Sequence, residues 1–243
     1  LGKGLPMDPP PLTPLLVGFL LGMEHALDPD HVVAVSTMMS RHRTLARSAL
    51  VALSWGLGHT ATLFLVGLAV ILFNMRIPDW LTPFAELAVG LVLLALGTSI
   101  VTGYLTEKVH AHVHRHGGEV HVHFHSHASG GGHDHDHALP QHRTSALVGM
   151  VHGLAGSAAL MLLVLASIRT PALGLLYILT FGLGSLLGML GLSALIGLPF
   201  SLIVRRHTEV HRKIRLTTGA TSIAYGVFLI ASTGLVQGII HRL

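Results

Sequence analysis

Six apolar stretches, each of about 20 residues or more, dominate this sequence. They cover residues 13–39, 48–73, 83–105, 145–168, 171–199 and 216–240. Because an α-helix rises about 1.5 Å per residue, each stretch is long enough to cross a hydrocarbon core of about 30 Å. The chain is 51% apolar and 11% charged, with a mean hydropathy of +0.65. These values predict an all-α membrane protein with six transmembrane helices and the lipid bilayer as its surroundings.

The basic residues predict the orientation of the chain in the membrane. Of the 15 Lys and Arg residues, 11 lie in the connections that follow the first, third and fifth stretches. Basic loops stay in the cytoplasm, so both termini are expected outside it, in a multi-pass protein of the cell (inner) membrane. The pI of about 10.0 therefore reflects topology, and no nucleic-acid partner is predicted.

The chain contains no cysteine, which excludes disulfides, thiolate metal sites and cysteine nucleophiles. Metal chemistry would have to use imidazole and carboxylate groups. No phosphate-binding Gly-x-x-x-x-Gly-Lys-Ser/Thr motif is present, so ATP hydrolysis by this chain is not predicted. No cleavable signal peptide is expected before residue 13.

Two halves of the chain resemble each other at a nearly constant offset. The matched segments are Gly22-Met-Glu-His-Ala-Leu with Gly149-Met-Val-His-Gly-Leu, Trp55-Gly-Leu-Gly-His with Phe181-Gly-Leu-Gly-Ser, and Gly90 and Gly97 with Gly219 and Gly226. The offsets are 127, 126 and 129 residues. Three helices per half would give the halves opposite orientations, as in the inverted repeats of many transporters. We therefore predict repeats at 1–105 and 145–243 around a loop at 106–144; the alternative is generic similarity between glycine-rich helices.

A polar cluster interrupts the first apolar stretch. It consists of Glu24, His25, Asp28, Asp30 and His31. Ionisable groups at this depth are costly and indicate a working site, with structural pairing as the alternative. An ideal helix could not direct all five side chains at one ion. The proline at position 29 predicts a break in the helix, which would turn these side chains together and free the carbonyl oxygen of His25 as a further ligand.

Two more histidines lie in other apolar stretches. His59 is near the middle of the second stretch, and His152 aligns with His25 in the repeat. Each alone is more often a hydrogen-bonded buried histidine. Together with the first cluster they form a nitrogen and oxygen set that suits Ni, Co, Cu or Zn better than Mg or Ca. We expect Asp30 to contact the ion and Asp28 to orient a histidine from behind, with Glu24, His152 and Ser157 in supporting positions.

The cluster resembles a known family of membrane proteins. The segment His25-Ala-Leu-Asp28-Pro-Asp30-His31 is similar to the His-Ala-x-Asp-Ala-Asp-His signature of the nickel/cobalt transporter (NiCoT) family, and Gly58-His59-Thr60 to its Gly-His-Ser/Thr signature. The resemblance implies transport of Ni²⁺ or Co²⁺, with metal contacts at His25, Asp30, His31 and His59. Classical members have eight spans and an Arg where this chain has Glu24. The six spans and the Val-His-Gly-Leu-Ala-Gly-Ser-Ala segment are more similar to the urease-accessory nickel permease branch, which implies nickel chaperones or urease maturation proteins as partners.

A histidine-rich segment joins the third and fourth stretches. Residues 110–142 contain 12 histidines in 33 positions. With no apolar core to bury, the segment is expected to be disordered without metal and to collect metal ions in the cytoplasm. Its candidate ligands are His110, His112, His114, His121, His123, His125, His133, His135 and His137.

These observations predict a membrane transporter of Ni²⁺ or Co²⁺, with Zn²⁺ as a further candidate ion, and neither an enzyme nor a cofactor-dependent protein. Uptake is favoured. Export for detoxification, an intramembrane zinc metalloenzyme, and a sensor or metallochaperone without transport remain the alternatives. An enzyme would need an open coordination position on the metal and a cavity for its substrate.

Overall fold

The computed structural model describes residues 12–41, 45–73, 78, 80–106, 109–116, 119–126, 141–155, 168, 170–204 and 208–234. These ranges contain seven helices: α1 (Leu12–His25), α2 (Pro29–Met39), α3 (Leu45–Phe73), α4 (Leu81–Thr106), α5 (Gln141–His152), α6 (Pro171–Val204) and α7 (Thr208–Ser232). Four of them, α3, α4, α6 and α7, are long and apolar enough to cross a membrane. The protein is therefore a helical, multi-pass membrane protein, as its composition predicts.

The first apolar stretch is interrupted at the proline, as predicted. Helix α1 ends at His25, residues 26–28 form a turn, and α2 begins at Pro29. Asp28, at the N-cap of α2, has φ −56° and ψ 141°, the extended conformation that a following proline favours. Pro29 suits the first helical position because its missing N–H needs no partner there. The prediction of a free His25 carbonyl was wrong, because this oxygen accepts a hydrogen bond from the Asp28 backbone N–H at 3.1 Å.

The ends of the other predicted spans differ from those of the helices. Helix α5 covers only the beginning of the fourth predicted span, and residues 156–167 lie outside the described ranges. Helix α6 continues beyond the predicted end at residue 199 to Val204. Helix α7 begins at Thr208, eight residues before the predicted start, because residues 209–215, four of which are charged, include no glycine or proline to stop it. Apolar composition marks where a helix enters the bilayer, which need not be where it begins.

The histidine-rich segment contains an antiparallel hairpin, so the prediction of disorder was wrong for part of it. Strand β1 (Val109–His116) pairs with strand β2 (Glu119–Ser126). Two sequence signals favour this structure. Histidines alternate with other residues in the two-residue period of a strand, and Gly117-Gly118 between the strands is a typical two-residue hairpin connection.

Close packing between pairs of helices holds the structure together. Helix α3 packs against α5 and α6, α1 packs against α6, α4 packs against α7, and α2 contacts α7 and α4. Glycine is required where these backbones meet. A Cβ atom at Gly22 would collide with the carbonyl oxygen of Phe181, and one at Gly149 with that of Trp55. Small residues at such contacts allow close helix association within lipid.

Candidate metal site

Three buried histidines from three helices meet beside the break. His25 ends α1, His31 lies in the first turn of α2, and His59 lies within α3. Their exposed fractions are 5%, 1% and 0%. The ring centroids of His25 and His31 are 4.4 Å apart, and each ring is 5.1 Å from that of His59. One ring nitrogen from each residue lies within 4.8 Å of the other two, so these three side chains could hold one metal ion.

The closest pair of nitrogen atoms has the spacing of two ligands on one ion. Nε2 of His25 and Nε2 of His59 are 3.2 Å apart. With metal–nitrogen bonds of about 2.1 Å, a separation of 3.2 Å corresponds to a ligand–metal–ligand angle of about 100°. This angle lies between the ideal values for octahedral and tetrahedral coordination. The pair is therefore suited to a shared divalent ion.

Two carboxylates lie next to the Nδ1 atoms of His25 and His31. The Asp28 carboxylate accepts a hydrogen bond from Nδ1 of His25 at 2.7 Å, and the Asp30 carboxylate is 3.1 Å from Nδ1 of His31. When Nδ1 carries the proton, Nε2 keeps its lone pair for a metal, and such partners fix the ring and raise its basicity. Nε2 of His31 has no hydrogen-bond partner in the part of the chain that the structure describes. Both carboxylates thus lie next to Nδ1 atoms of histidines in the cluster.

The carboxylates also form a second group of potential ligands. Asp28, Asp30 and His31 each offer an atom within 4.8 Å of the others. This group is less enclosed than the three histidines, because the Asp28 side chain is 46% exposed and that of Asp30 is 20% exposed. It therefore connects the buried histidines to the surface of the protein.

His152 approaches the site from the second half of the chain. Its ring centroid is 5.6 Å from that of His31. Nδ1 of His152 donates to the Val148 carbonyl oxygen at 3.0 Å, while the buried Nε2 lacks a hydrogen-bond partner among the described residues. It is not within the 4.8 Å group. His152 is thus positioned beside the three histidines, with a free lone pair.

The remaining predicted residues lie elsewhere. Glu24 is exposed on α1. Ser157, His133, His135 and His137 lie outside the described residues, and His110, His112, His114, His121, His123 and His125 lie on the hairpin.

Two aromatic side chains, which no single motif in the sequence marks, form one wall of the site. The Trp55 ring centroid is 5.2 Å from that of His31 and 5.5 Å from that of His152. The Phe181 ring stacks on His25 at 5.8 Å. The repeat alignment contained the signal, because it pairs Trp55 with Phe181 just as it pairs His152 with His25. These rings are themselves buried and surround the histidines with apolar surface.

A crevice of about 200 Å³ lies between α2 and α7. Its lining residues are Val32, Val33, Ser36, Thr37, Thr217, Thr218 and Thr221. Five of the seven carry hydroxyl groups, and Val32 directly follows His31 in the chain. The crevice therefore follows the side of α2 that faces α7. The hydroxyl groups of Thr37, Thr217 and Thr218 donate hydrogen bonds to backbone carbonyl oxygens.

The comparisons with known proteins agree with this chemistry. The chain is 36% identical over 228 residues to the urease accessory protein UreH of a Bacillus species, covering 94% of this chain and 95% of that protein. It is 25% identical to a protein of Methanocaldococcus jannaschii named as a nickel/cobalt efflux system, covering 93% and 95%. It is 24% identical to the Arabidopsis thaliana chloroplast protein FOR GROWTH AND FERTILITY 2, covering 91% and 57%.

No family model and no solved structure matches the chain. The first two relatives carry the names of accessory and transport proteins, which agrees with the prediction of a protein that is not an enzyme. The relationship to UreH extends over nearly the whole of both chains. The chain belongs to the nickel/cobalt permease family of the NiCoT type.

Proposed function

We propose that this protein carries Ni²⁺, or Co²⁺, across the membrane through the site formed by His25, His31 and His59, with Asp30 as a further contact. The observation that carries the proposal is a buried cluster of three imidazoles inside apolar helices, two of which, His25 and His31, have Nδ1 next to a carboxylate. Imidazole nitrogen suits these borderline ions and discriminates against Mg²⁺ and Ca²⁺. The names of the two relatives point to the same ions.

A path for the ion is supported by the polar groups next to the cluster. Asp28, which is 46% exposed, and Asp30, which is 20% exposed, would attract a hydrated cation and replace part of its water shell before it reaches the histidines. The hydroxyl groups of the α2–α7 crevice, including Ser36 and Thr221, would then provide oxygen contacts along α2. An ion that moves needs such intermediate contacts, because a single tight site would retain it.

We further propose six transmembrane helices arranged as two inverted repeats. Close approaches between helices support this arrangement because they occur in matched pairs. Gly22 meets the carbonyl of Phe181, and their repeat partners Gly149 and Trp55 meet in the same way. Further matched pairs are Gly58–Ala146 with Gly184–Phe19, and Gly90–Gly226 with Gly97–Gly219. Exchanging the two halves thus converts each contact into another observed contact.

The proposed direction is uptake, with both termini outside the cytoplasm and the histidine-rich loop inside. Ions that reach the cytoplasm would be passed to nickel chaperones or urease maturation proteins, a role suggested by the name of the Bacillus relative. Efflux is the second candidate, because the Methanocaldococcus relative is named as an efflux system. Deleting the gene should raise the nickel tolerance of the cell if the protein is an importer and lower it if it is an exporter.

Transport can be tested with the purified protein in lipid vesicles. Radioactive Ni²⁺ uptake should fall to the level of empty vesicles when His25→Ala and His31→Ala are combined. The control is His142→Ala, which changes an exposed histidine in the first turn of α5 and should retain the wild-type rate. Wild-type uptake by the double variant would refute the site. Metal binding without flux in the wild-type protein would favour a sensor or metallochaperone instead.

A further inference from the structure

Two arginines from distant parts of the chain meet near the C-terminal end of α4. Arg41, which follows α2, donates a hydrogen bond from Nη2 to the Ser99 hydroxyl at 2.8 Å. A terminal nitrogen of Arg215, on α7, lies 3.7 Å from the position that a Cβ atom on Gly103 would take. Because Ser99 and Gly103 are one helical turn apart, the two guanidinium groups contact neighbouring positions, about 5–6 Å apart, on one face of α4. We call Arg41 and Arg215 the arginine pair.

The two members of the arginine pair repel each other. Partial burial and the positive charge of Arg215 lower the pKa of Arg41. Arg41 forms no ion pair with a carboxylate among the described residues. Like charges held side by side raise the energy of a protein, and an anion between them would remove this cost. The arrangement of the pair therefore favours the binding of an anion.

A third arginine increases the positive charge of this region. The guanidinium carbon of Arg212 lies 4.9 Å from the centre of the Tyr104 ring, a distance typical of a cation–π contact. Tyr104 directly follows Gly103 on α4, and Arg212 lies three residues before Arg215 on α7. The aromatic ring thus holds a further positive charge close to the arginine pair.

The depth of the arginine pair in the membrane indicates the source of the anion. The candidate span on α4 ends at Leu105, and the candidate span on α7 begins at Val210. The pair therefore lies near one end of both spans, at the level of the lipid headgroups. Long arginine side chains reach the headgroups from positions within such helices, and anionic lipids attract basic residues next to a span.

We propose that the arginine pair binds the phosphate group of an anionic lipid. Each guanidinium group presents a planar fork of N–H donors that fits two phosphate oxygens. One phosphate could accept hydrogen bonds from both groups, and it would connect the end of α2 with α4 and α7. The proposal does not depend on transport or on the metal site, because the pair lies beyond the opposite end of α2 from His31.

The test measures how the full-length protein in a neutral detergent binds phosphatidylglycerol. Native mass spectrometry counts the bound lipids. The thermal unfolding temperature is measured with phosphatidylglycerol, with phosphatidylcholine and with inorganic phosphate. The test variant combines Arg41→Gln with Arg215→Gln. The matched control combines Arg47→Gln with Arg143→Gln, which removes the same charge from exposed positions in the first turns of α3 and α5.

The wild-type protein and the control should retain one phosphatidylglycerol molecule more than the test variant, whose affinity for this lipid should be lower by about tenfold or more, because charge-assisted hydrogen bonds are lost. Phosphatidylglycerol should raise the unfolding temperature of the wild type and the control more than phosphatidylcholine does. The test variant should respond equally to both lipids. Without lipid it should unfold at or above the wild-type temperature, because the repulsion is gone.

A second variant, Arg41→Lys with Arg215→Lys, keeps both charges but removes the planar forks. It should also bind phosphatidylglycerol less tightly than the wild type, and it separates loss of the site from loss of the fold. Equal affinity for the lipid in the wild type and both variants would overturn the proposal. Inorganic phosphate that raised the wild-type unfolding temperature as much as phosphatidylglycerol would also overturn it, because the ligand would then be free phosphate.

Discussion

Replacing Asp28 by Asn tests whether a carboxylate behind His25 tunes the membrane site. The amide oxygen can still accept the hydrogen bond from Nδ1 of His25, which is 2.7 Å long in the native protein, so the ring keeps its orientation and loses only the adjacent negative charge. Removing a partner of this kind lowers metal affinity about 10- to 100-fold. Because Asp28→Asn keeps the hydrogen bond and removes only the charge, the lower end of this range is expected. The predicted loss is about tenfold, or about 1.4 kcal/mol.

The affinity can be measured from the fluorescence of one tryptophan. Trp55 lies 5.2 Å from His31 between ring centroids, so a bound Co²⁺ or Ni²⁺ should quench it, and a Trp80→Phe background removes the other tryptophan. The matched control is Glu86→Gln, which neutralises a carboxylate of α4 outside both groups of ligands. If Asp28→Asn binds within twofold of the control, the carboxylate does not tune the site. A change in the Co²⁺ absorption spectrum would instead identify Asp28 as a direct ligand.

Three further predictions concern packing, the crevice and the site itself. Gly22→Ala should destabilise the protein by about 1–3 kcal/mol, because its Cβ would meet a backbone carbonyl. The measurement is the thermal unfolding temperature in detergent. The control Gly191→Ala, at a position with open space around it, should leave this temperature unchanged or higher. Thr221→Leu should slow Ni²⁺ flux at least threefold without changing the affinity for the ion, because it fills the crevice; an unchanged vesicle flux would exclude this path. In the Trp80→Phe background, His59→Ala should abolish the quenching of Trp55 by micromolar Co²⁺, and undiminished quenching would remove His59 from the site.

The sequence allowed the prediction of the elements that depend on local chemistry. Pro29 marks the break because its ring and missing N–H act at that position whatever surrounds it. The hydrogen bond accepted by the His25 carbonyl oxygen was not predictable in this way, since it depends on the turn that the chain forms after the break. The hairpin was missed because the composition of the segment was given more weight than its two-residue period. Trp55 and Phe181 required the packing of α3 and α6 before their contacts with histidines became evident.

The proposed repeat explains why the membrane site is asymmetric. His25 and His152 are partners in the repeat. His25 packs against Phe181 and His152 packs against Trp55, and these two aromatic residues are also partners in the repeat. The two histidines therefore have equivalent aromatic neighbours. The difference arises at His31 and His59, which the repeat aligns with Ala158 and Ser185. Ser185 is buried, and its hydroxyl lacks a hydrogen-bond partner among the described residues. In the proposed repeat, an ion held by three imidazoles on one side would face one imidazole and a hydroxyl on the other. Such unequal binding would place the ion in the first half of the protein and leave His152 as the next contact when the halves move against each other.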